Sequence, residues 1–430
     1  MNYFIYNLII HIFFLIISPI YILKILFVEK YRKTCQDRFA LNPDFFKEST
    51  CEIIWFHAAS AGEVKTARTL INELNISHTN IKLFLTTSTH SGFKLAWKEL
   101  KDKAEIHMIP LDLPWLIGPV VKKISPALTV IIEPDIWPNF IKYTSRQGKL
   151  LMVNAWFDKK VLRRIDKIPG FLPEILQFFN RIAVQNQYDS RKFSEIAAES
   201  KIEVTGNIKY NQTDDFSEIS SDKLKKSLNI TERDLVFAAG STHKGEEEIL
   251  LRVYEKLKGK YENLVMVIAP RHIERSEEII KLCRKAGLQA VKRTQLEESD
   301  KRNEQIIILD TMGELVDIYP LAVVTFMGGT LIDQGGHNIL EPLAAGNPVI
   351  FGPNYYNFRE IFEIAIAKQV GYKVNSESEL LEIIDEVIED KHRLTEINNR
   401  ARKIISENRG ALSKTINIIE EFIYTGGSLK

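Results

Sequence analysis

The chain has 430 residues, 45% of them hydrophobic and 26% charged, with a formal net charge of +1. That length exceeds what one hydrophobic core supports and implies about two domains. Near-neutrality lacks the strongly basic footprint of a nucleic-acid binder, so no nucleic-acid partner is expected. Cys35, Cys51 and Cys283 are scattered without metal-type spacing, which argues against a disulfide framework and a zinc site and points to a reducing compartment.

The first element is "MNYFIYNLIIHIFFLIISPIYILKILFV", residues 1–28, with no charged side chain before Lys24. A bilayer core needs about 20 apolar residues in a helix, so the run is long enough, although Asn7, His11 and Pro19 interrupt it. A signal peptide would want a basic start and a small-residue cleavage site, and neither is present. A buried core helix is the remaining alternative. Lys24, Lys30, Arg32, Lys33 and Arg38 follow, and positive charge stays cytoplasmic. The expectation is a membrane anchor over 1–28, single-pass or monotopic, with the rest of the chain on the cytoplasmic face.

Beyond the anchor, "CEIIWFHA", "IKLFLTTST", "ALTVIIEP", "KLLMVNA", "RIAVQN" and "KIEVTGN" read as buried strands. Most are continuous rather than alternating in polarity, as parallel strands are, and helical patterns such as 64–74 lie between several of them. A polar, turn-rich segment at 207–222 reads as a linker. The alternation then restarts with "DLVFAAGST", "LVMVIAP", "QIIILD", "LAVVTFMGG" and "PVIFGP". The class is therefore α/β, with two Rossmann-like domains in series over 29–206 and 223–410. A last helix over 411–430 is expected to pack back on the first domain. Ligands of such sheets sit outside the carboxyl ends of the strands, so chemistry is sought there.

"HAASAGE" leads from a strand into a helix. Ser60 and Gly62 would allow a tight turn, and Glu63 falls in the first helical turn, where a carboxylate also complements the helix dipole. In "EPDIWPN", Glu133 stands at the lip of a buried strand, a costly place unless it is paired or solvated from a cleft; Trp137 and Pro138 would wall that cleft. "GSTHKGEEE" offers Ser241 or Thr242 as a helix cap with Glu246 shortly after; its hydroxyls and helix N-terminus would equally suit an anion. In "APRH", Arg271 beside His272 at a strand end favours phosphate. "DTMGEL" follows another strand. Around "GGHNILEPLAAGNPVIFGP", Gly328, Gly329, Gly335 and Gly336 would let backbone approach a ligand. Glu341 could accept two hydrogen bonds from a ribose diol, or simply charge a helix N-terminus.

Taken in order, "HAASAGE", "GNIKY", "AGSTHKGEEE", "APRHIER", "DTMGEL", "FMGGT", "GGHNILEPLAAGNPV" and "GPNYYNF" resemble the motif series of the 3-deoxy-D-manno-octulosonic acid (Kdo) transferases of Gram-negative bacteria. The resemblance implies a GT-B fold, with two Rossmann-like domains facing a cleft and an N-terminal membrane-anchor helix. It also implies an inverting glycosyltransferase of the inner membrane that needs neither metal nor cofactor and moves Kdo from CMP-Kdo to the lipid A precursor lipid IVA. On that resemblance Glu63 is the general base, with Ser60, Gly62 and Glu133 on the acceptor side. Lys209, Ser241, Thr242, Arg271, His272, Gly313, Glu314, Asn338 and Glu341 serve the donor. The basic run "KKVLRRIDK" at 159–167 is either a solvated face or a contact for membrane and acceptor phosphates.

Two places depart from the family pattern: "EPDIWPN" stands where "ETELWPN" is usual, and "NAWFD" where "NARLS" is usual. Pro134 and Asp135 thus stand in for a threonine and a glutamate, and Trp156 for an arginine, all in the acceptor half. Other readings are a GT-B enzyme using a UDP-sugar, as transferase or epimerase, and a non-catalytic membrane-anchored binding protein; the presence of Glu63 with the whole donor set argues against the latter.

Overall fold

The computed structural model describes residues 2–42, 45, 51–77, 81–157, 170–215, 218–296 and 303–425; the basic run at 159–167 lies outside them. The chain forms two compact units, Met1–Gln212 with Arg409–Lys430, and Thr213–Asn408.

The first unit is built on seven parallel strands: β1 (Glu52–His57), β2 (Ile81–Thr87), β3 (Glu105–Met108), β4 (Leu128–Ile132), β5 (Lys149–Ala155), β6 (Arg181–Val184) and β7 (Ile202–Val204). Their order is β3-β2-β1-β4-β5-β6-β7, so the winding reverses between β1 and β4. Strand alternation sorts the core into two layers. Ile53 and Trp55 join one cluster, Ile54 and Phe56 the other. Both faces are covered, which is why the strands read as unbroken apolar runs. The Ala61–Ser77 helix buries Val64, Ala67, Leu70, Ile71 and Leu74, a stripe at helical spacing.

Helices near the two ends of the chain close opposite faces of this sheet. Ala411, Ile416, Ile418 and Ile419 of the Ala411–Thr425 helix pack into the layer of Ile54 and Phe56. Tyr3 of the Asn2–Phe27 helix enters the layer of Trp55 and Phe171. The Tyr3 hydroxyl donates to the Pro138 carbonyl at 3.0 Å, and the Tyr6 hydroxyl to Asp112 at 2.8 Å.

The second unit repeats the plan with β8 (Leu235–Thr242), β9 (Leu264–Pro270), β10 (Ala290–Lys292), β11 (Ile306–Ile308), β12 (Ala322–Met327), β13 (Val349–Phe351) and β14 (Gly371–Lys373). All pair in parallel, in the order β10-β11-β9-β8-β12-β13-β14. The winding reverses between β8 and β12. Alternation again splits the core, with Leu264, Met266 and Ile268 on one side of β9 and Val265, Val267 and Ala269 on the other. Ligands of such sheets bind where the winding reverses, so the loops after β1, β4, β8 and β12 frame the two sites below.

Candidate active site

In the first unit three carboxylates gather beyond the carboxyl ends of β1 and β4. Glu63 sits in the first turn of the Ala61–Ser77 helix and accepts from the Ala59 N–H at 2.6 Å and the Ser60 hydroxyl at 2.8 Å. Burial pushes its carboxyl up to about 7, and the nearby charges of Glu133 and Asp135 add to the rise, although the bonds from Ser60 and Ala59 favour the ionised form. Gly62 is not needed for the turn. It lies inside the helix, and a Cβ there would meet only the Ser60 hydroxyl oxygen at 3.8 Å; its missing side chain leaves open room beside Glu63.

Glu133 follows β4 in a left-handed conformation (φ 60°), and Asn154 near the end of β5 does the same (φ 55°). Such backbone is uncommon outside glycine and concentrates at functional sites. The Asn154 amide (3.2 Å) and the Trp156 indole N–H (3.1 Å) donate to Glu133, and the Lys209 ammonium lies 2.7 Å from it. Lys209 is placed by its own motif: Asn207 caps its N–H at 3.0 Å, and Asn154 accepts from Ile208 N–H at 2.9 Å. Lys209, grouped with the donor set by resemblance, thus stands in the first unit against Glu133. Trp156, a departure from the family pattern, supplies Glu133 with one of its donors.

Asp135, the other departure, is also held. The buried His57 offers Nε2 at 2.9 Å, Trp137 donates its indole N–H at 2.8 Å and Ser88 its hydroxyl at 3.3 Å. Burial opposes ionisation of Asp135, but His57, Trp137 and Ser88 outweigh it and keep the carboxyl below its usual range. His57 is fixed from behind by the Thr86 hydroxyl at 2.9 Å. The sequence reading missed His57; its signal was a polar ring ending a strand buried from Ile53 onward.

In the second unit the loops after β8 and β12 are clamped together by one carboxylate. Glu246 is fully buried and accepts from the N–H groups of His243 (2.9 Å), Gly329 (2.8 Å), Thr330 (3.0 Å) and Leu331 (3.0 Å). Burial raises its pKa against the pull of these four bonds. Glu246 is therefore more than a helix-start charge, and it takes up the His243 N–H that precedes its helix. The glycines serve the same packing. A Cβ on Gly328 would stand 2.2 Å from the Ser241 carbonyl oxygen, and one on Gly335 2.4 Å from the Asn357 amide. The room they leave is filled by the protein's own loops rather than by a ligand.

Around this clamp lie the cationic and imidazole groups. Arg271 and His272 are both exposed. The rings of His243 and His337 are parallel, with centroids 5.2 Å apart and Nε2 atoms 2.9 Å apart, so one ring donates to the other through its edge, and the His272 ring lies at right angles to that of His243. Burial, then Arg271, His243 and His272, push His337 down to about 4; burial with His272, Arg271 and Arg275 also lowers His243. Ser241 is left-handed (φ 53°), and the hydroxyl of the buried Thr242 meets no hydrogen-bond partner. Arg275, unlike Arg271, is committed to Glu247 at 2.7 Å.

The remaining expected residues flank this set. Gly313 is exposed and left-handed (φ 96°), while Glu314 accepts from the Thr311 hydroxyl and lies 3.3 Å from Arg293. Asn338 accepts from Leu340 N–H at 3.1 Å, opening the Leu340–Ala345 helix that carries Glu341. The buried Tyr319 phenol is held well above its usual pKa, chiefly by burial and further by Glu341.

Comparison with known proteins follows the same division. Residues 33–212 match the family model of 3-deoxy-D-manno-octulosonic-acid transferases (kdotransferases), and residues 220–404 match the group 1 glycosyl transferases. The 3-deoxy-D-manno-octulosonic acid transferase of Haemophilus influenzae is 31% identical over 403 residues, covering 92% of each chain. Among solved structures, a glycosyltransferase from Rickettsia africae superposes with a TM-score of 0.59 at 16% identity, over 87% of this chain and 99% of that one. The UDP-GlcNAc 2-epimerase of Neisseria meningitidis gives 0.61 at 14% identity, over 87% and 100%. The last two share the GT-B type of fold. The chain belongs to the Kdo transferase family and is a glycosyltransferase.

Proposed function

We propose that this enzyme transfers Kdo from CMP-Kdo to lipid IVA, with inversion, at the cytoplasmic face of the inner membrane. The observation that carries the reading is Glu63: a half-ionisable carboxyl near pH 7, aimed by two hydrogen bonds, at the strand reversal of the first sheet. A general base works best with a pKa near the working pH and contributes roughly 10²–10⁴ in rate.

The acceptor hydroxyl gives its proton to Glu63 as its oxygen bonds to the anomeric carbon. The bond from that carbon to the phosphate oxygen breaks on the opposite side, and CMP keeps the electron pair. Charge grows on the departing phosphate, where Arg271 and the His272 side serve as fixed electrostatic partners. Ser241, Thr242, Gly313 and Glu314 shape the nucleotide site, and Asn338 with Glu341 holds the ribose and base. Lys209 offers a cation to the sugar's own carboxylate, and Ser60, Gly62 and Glu133 border the acceptor. The base and the phosphate ligands belong to different units.

The test is mass spectrometry of products formed by the purified full chain from lipid IVA and a CMP-Kdo generating system. Addition of Kdo by the parent and its loss in Glu63→Gln, with CMP affinity retained, is the expected result. Tight UDP binding with no CMP binding would overturn the donor.

A further inference from the structure

The apolar Asn2–Phe27 helix does not stand away from the first unit as a spanning segment would. Its docked residues recur along the helix. Tyr3 meets Phe171 and Phe178, Phe14 meets Phe39 and Trp115, and Tyr21 meets Phe39 again. The first and last of these are about 27 Å apart along the axis, at ~1.5 Å per residue. The helix's polar atoms turn the same way, the Tyr6 hydroxyl to Asp112 and the Asn7 side chain to Asn139 at 2.8 Å. A helix crossing the ~30 Å hydrocarbon core would have to leave the globular unit along most of that length.

The opposite side of the helix is uncovered and apolar up to Lys24. Phe4, Leu8, Phe13, Ile16, Ile20 and Phe27 each expose between 52% and 82% of their surface. No charged side chain occurs on the helix before Lys24, which is exposed, as is Arg32 just beyond. An apolar stripe of this extent marks an interaction site. Trp115, 53% exposed beside Phe14, is the aromatic type that favours the lipid–water boundary.

We propose that the helix is an in-plane anchor: its outward stripe sinks into one leaflet while its inner stripe stays packed on the first unit. The occupant of the stripe is lipid, with anionic headgroups meeting the cations at its carboxyl end, where each basic residue near the surface adds attraction. This rests on the membrane seating proposed above and adds that residue 2 and the globular units share one side of the bilayer.

Two measurements on the full chain test it, and neither uses donor or acceptor. The first is flotation with vesicles of phosphatidylcholine and phosphatidylglycerol. The parent should float, and Ile16→Glu with Ile20→Glu should lower partitioning roughly 100-fold without moving the melting temperature, because both sites face outward. A parent that stays unbound as a stable dimer, its stripe covered by a second copy, would overturn the membrane seating itself; a double variant that floats like the parent would overturn the stripe as the lipid-binding surface. The second is labelling of an Asn2→Cys chain in sealed vesicles with a membrane-impermeant maleimide, using the exposed Cys51 as reference. Labelling of both positions from one side is expected. Residue 2 reached only from the side opposite Cys51 would leave the seating intact and sink the in-plane geometry.

Discussion

At the carboxyl ends of the first sheet, Glu63, Glu133 and Asp135 crowd together with one lysine; at those of the second, Arg271 and three histidines do. Two carboxylates of the second unit are spent on structure, Glu246 on two loops and Glu247 on Arg275. In the first unit two of the three acids have dedicated partners, His57 and Trp137 for Asp135, Lys209 and Trp156 for Glu133. Glu63 has neutral donors only, and burial lifts its carboxyl to about 7. On the proposed mechanism the base is marked out by what it lacks, a cation, rather than by its position in a helix.

The sharpest way to break that contrast is Glu63→Gln. Transfer should fall about 10²–10⁴-fold while CMP binding measured by calorimetry stays within error; an active variant would return Glu63 to the role of a helix charge. Glu246→Ala should cost roughly 2–4 kcal/mol by stranding four N–H groups, those of Gly329 and Thr330 buried. It should appear as an earlier urea midpoint of the second unit, and an unchanged midpoint would make the clamp dispensable. Arg271→Ala should weaken CMP about 10–100-fold, the worth of a charge-assisted hydrogen bond, whereas Arg275→Ala should act mainly on stability because its partner is Glu247.

The smallest effect concerns pH. Glu63 must be ionised to accept a proton, so kcat/KM should rise as pH climbs through about 7 and fall below it. Glu133→Gln removes a neighbouring negative charge, eases ionisation of Glu63, and should move that midpoint to lower pH. A midpoint that shifts upward would mean that Glu133 acts on Glu63 through something other than its charge.

Much of the architecture was readable because continuous runs such as "LTVII" and "LVMVIAP" leave little choice but buried parallel strands. β3, with Glu105 and His107 inside four residues, and the three-residue edge strands β10 and β14 escaped, since their apolar signal is too short to stand out. Glu63 was visible as a candidate because a strand-to-helix turn is a recurrent site. The clamp by Glu246 was not, because a carboxylate in a first helical turn looks the same whether it faces water or four N–H groups of a distant loop. Asp135 and Trp156 looked like defects against a family pattern. Their partners His57 and Glu133 lie far away in sequence, and no local periodicity links them.

One consequence follows from the seating of Tyr3, Tyr6 and Asn7. A chain trimmed at Val28 to gain solubility would lose a buried aromatic from its core and a donor from Asp112, and would bare the trough lined by Phe171 and Trp115. Trimming would swap a lipid-seeking surface for a freshly cut one. The shortened protein should melt earlier and clump more readily than the whole chain kept in detergent, so the segment is best handled as a wall of the building as well as its mooring line.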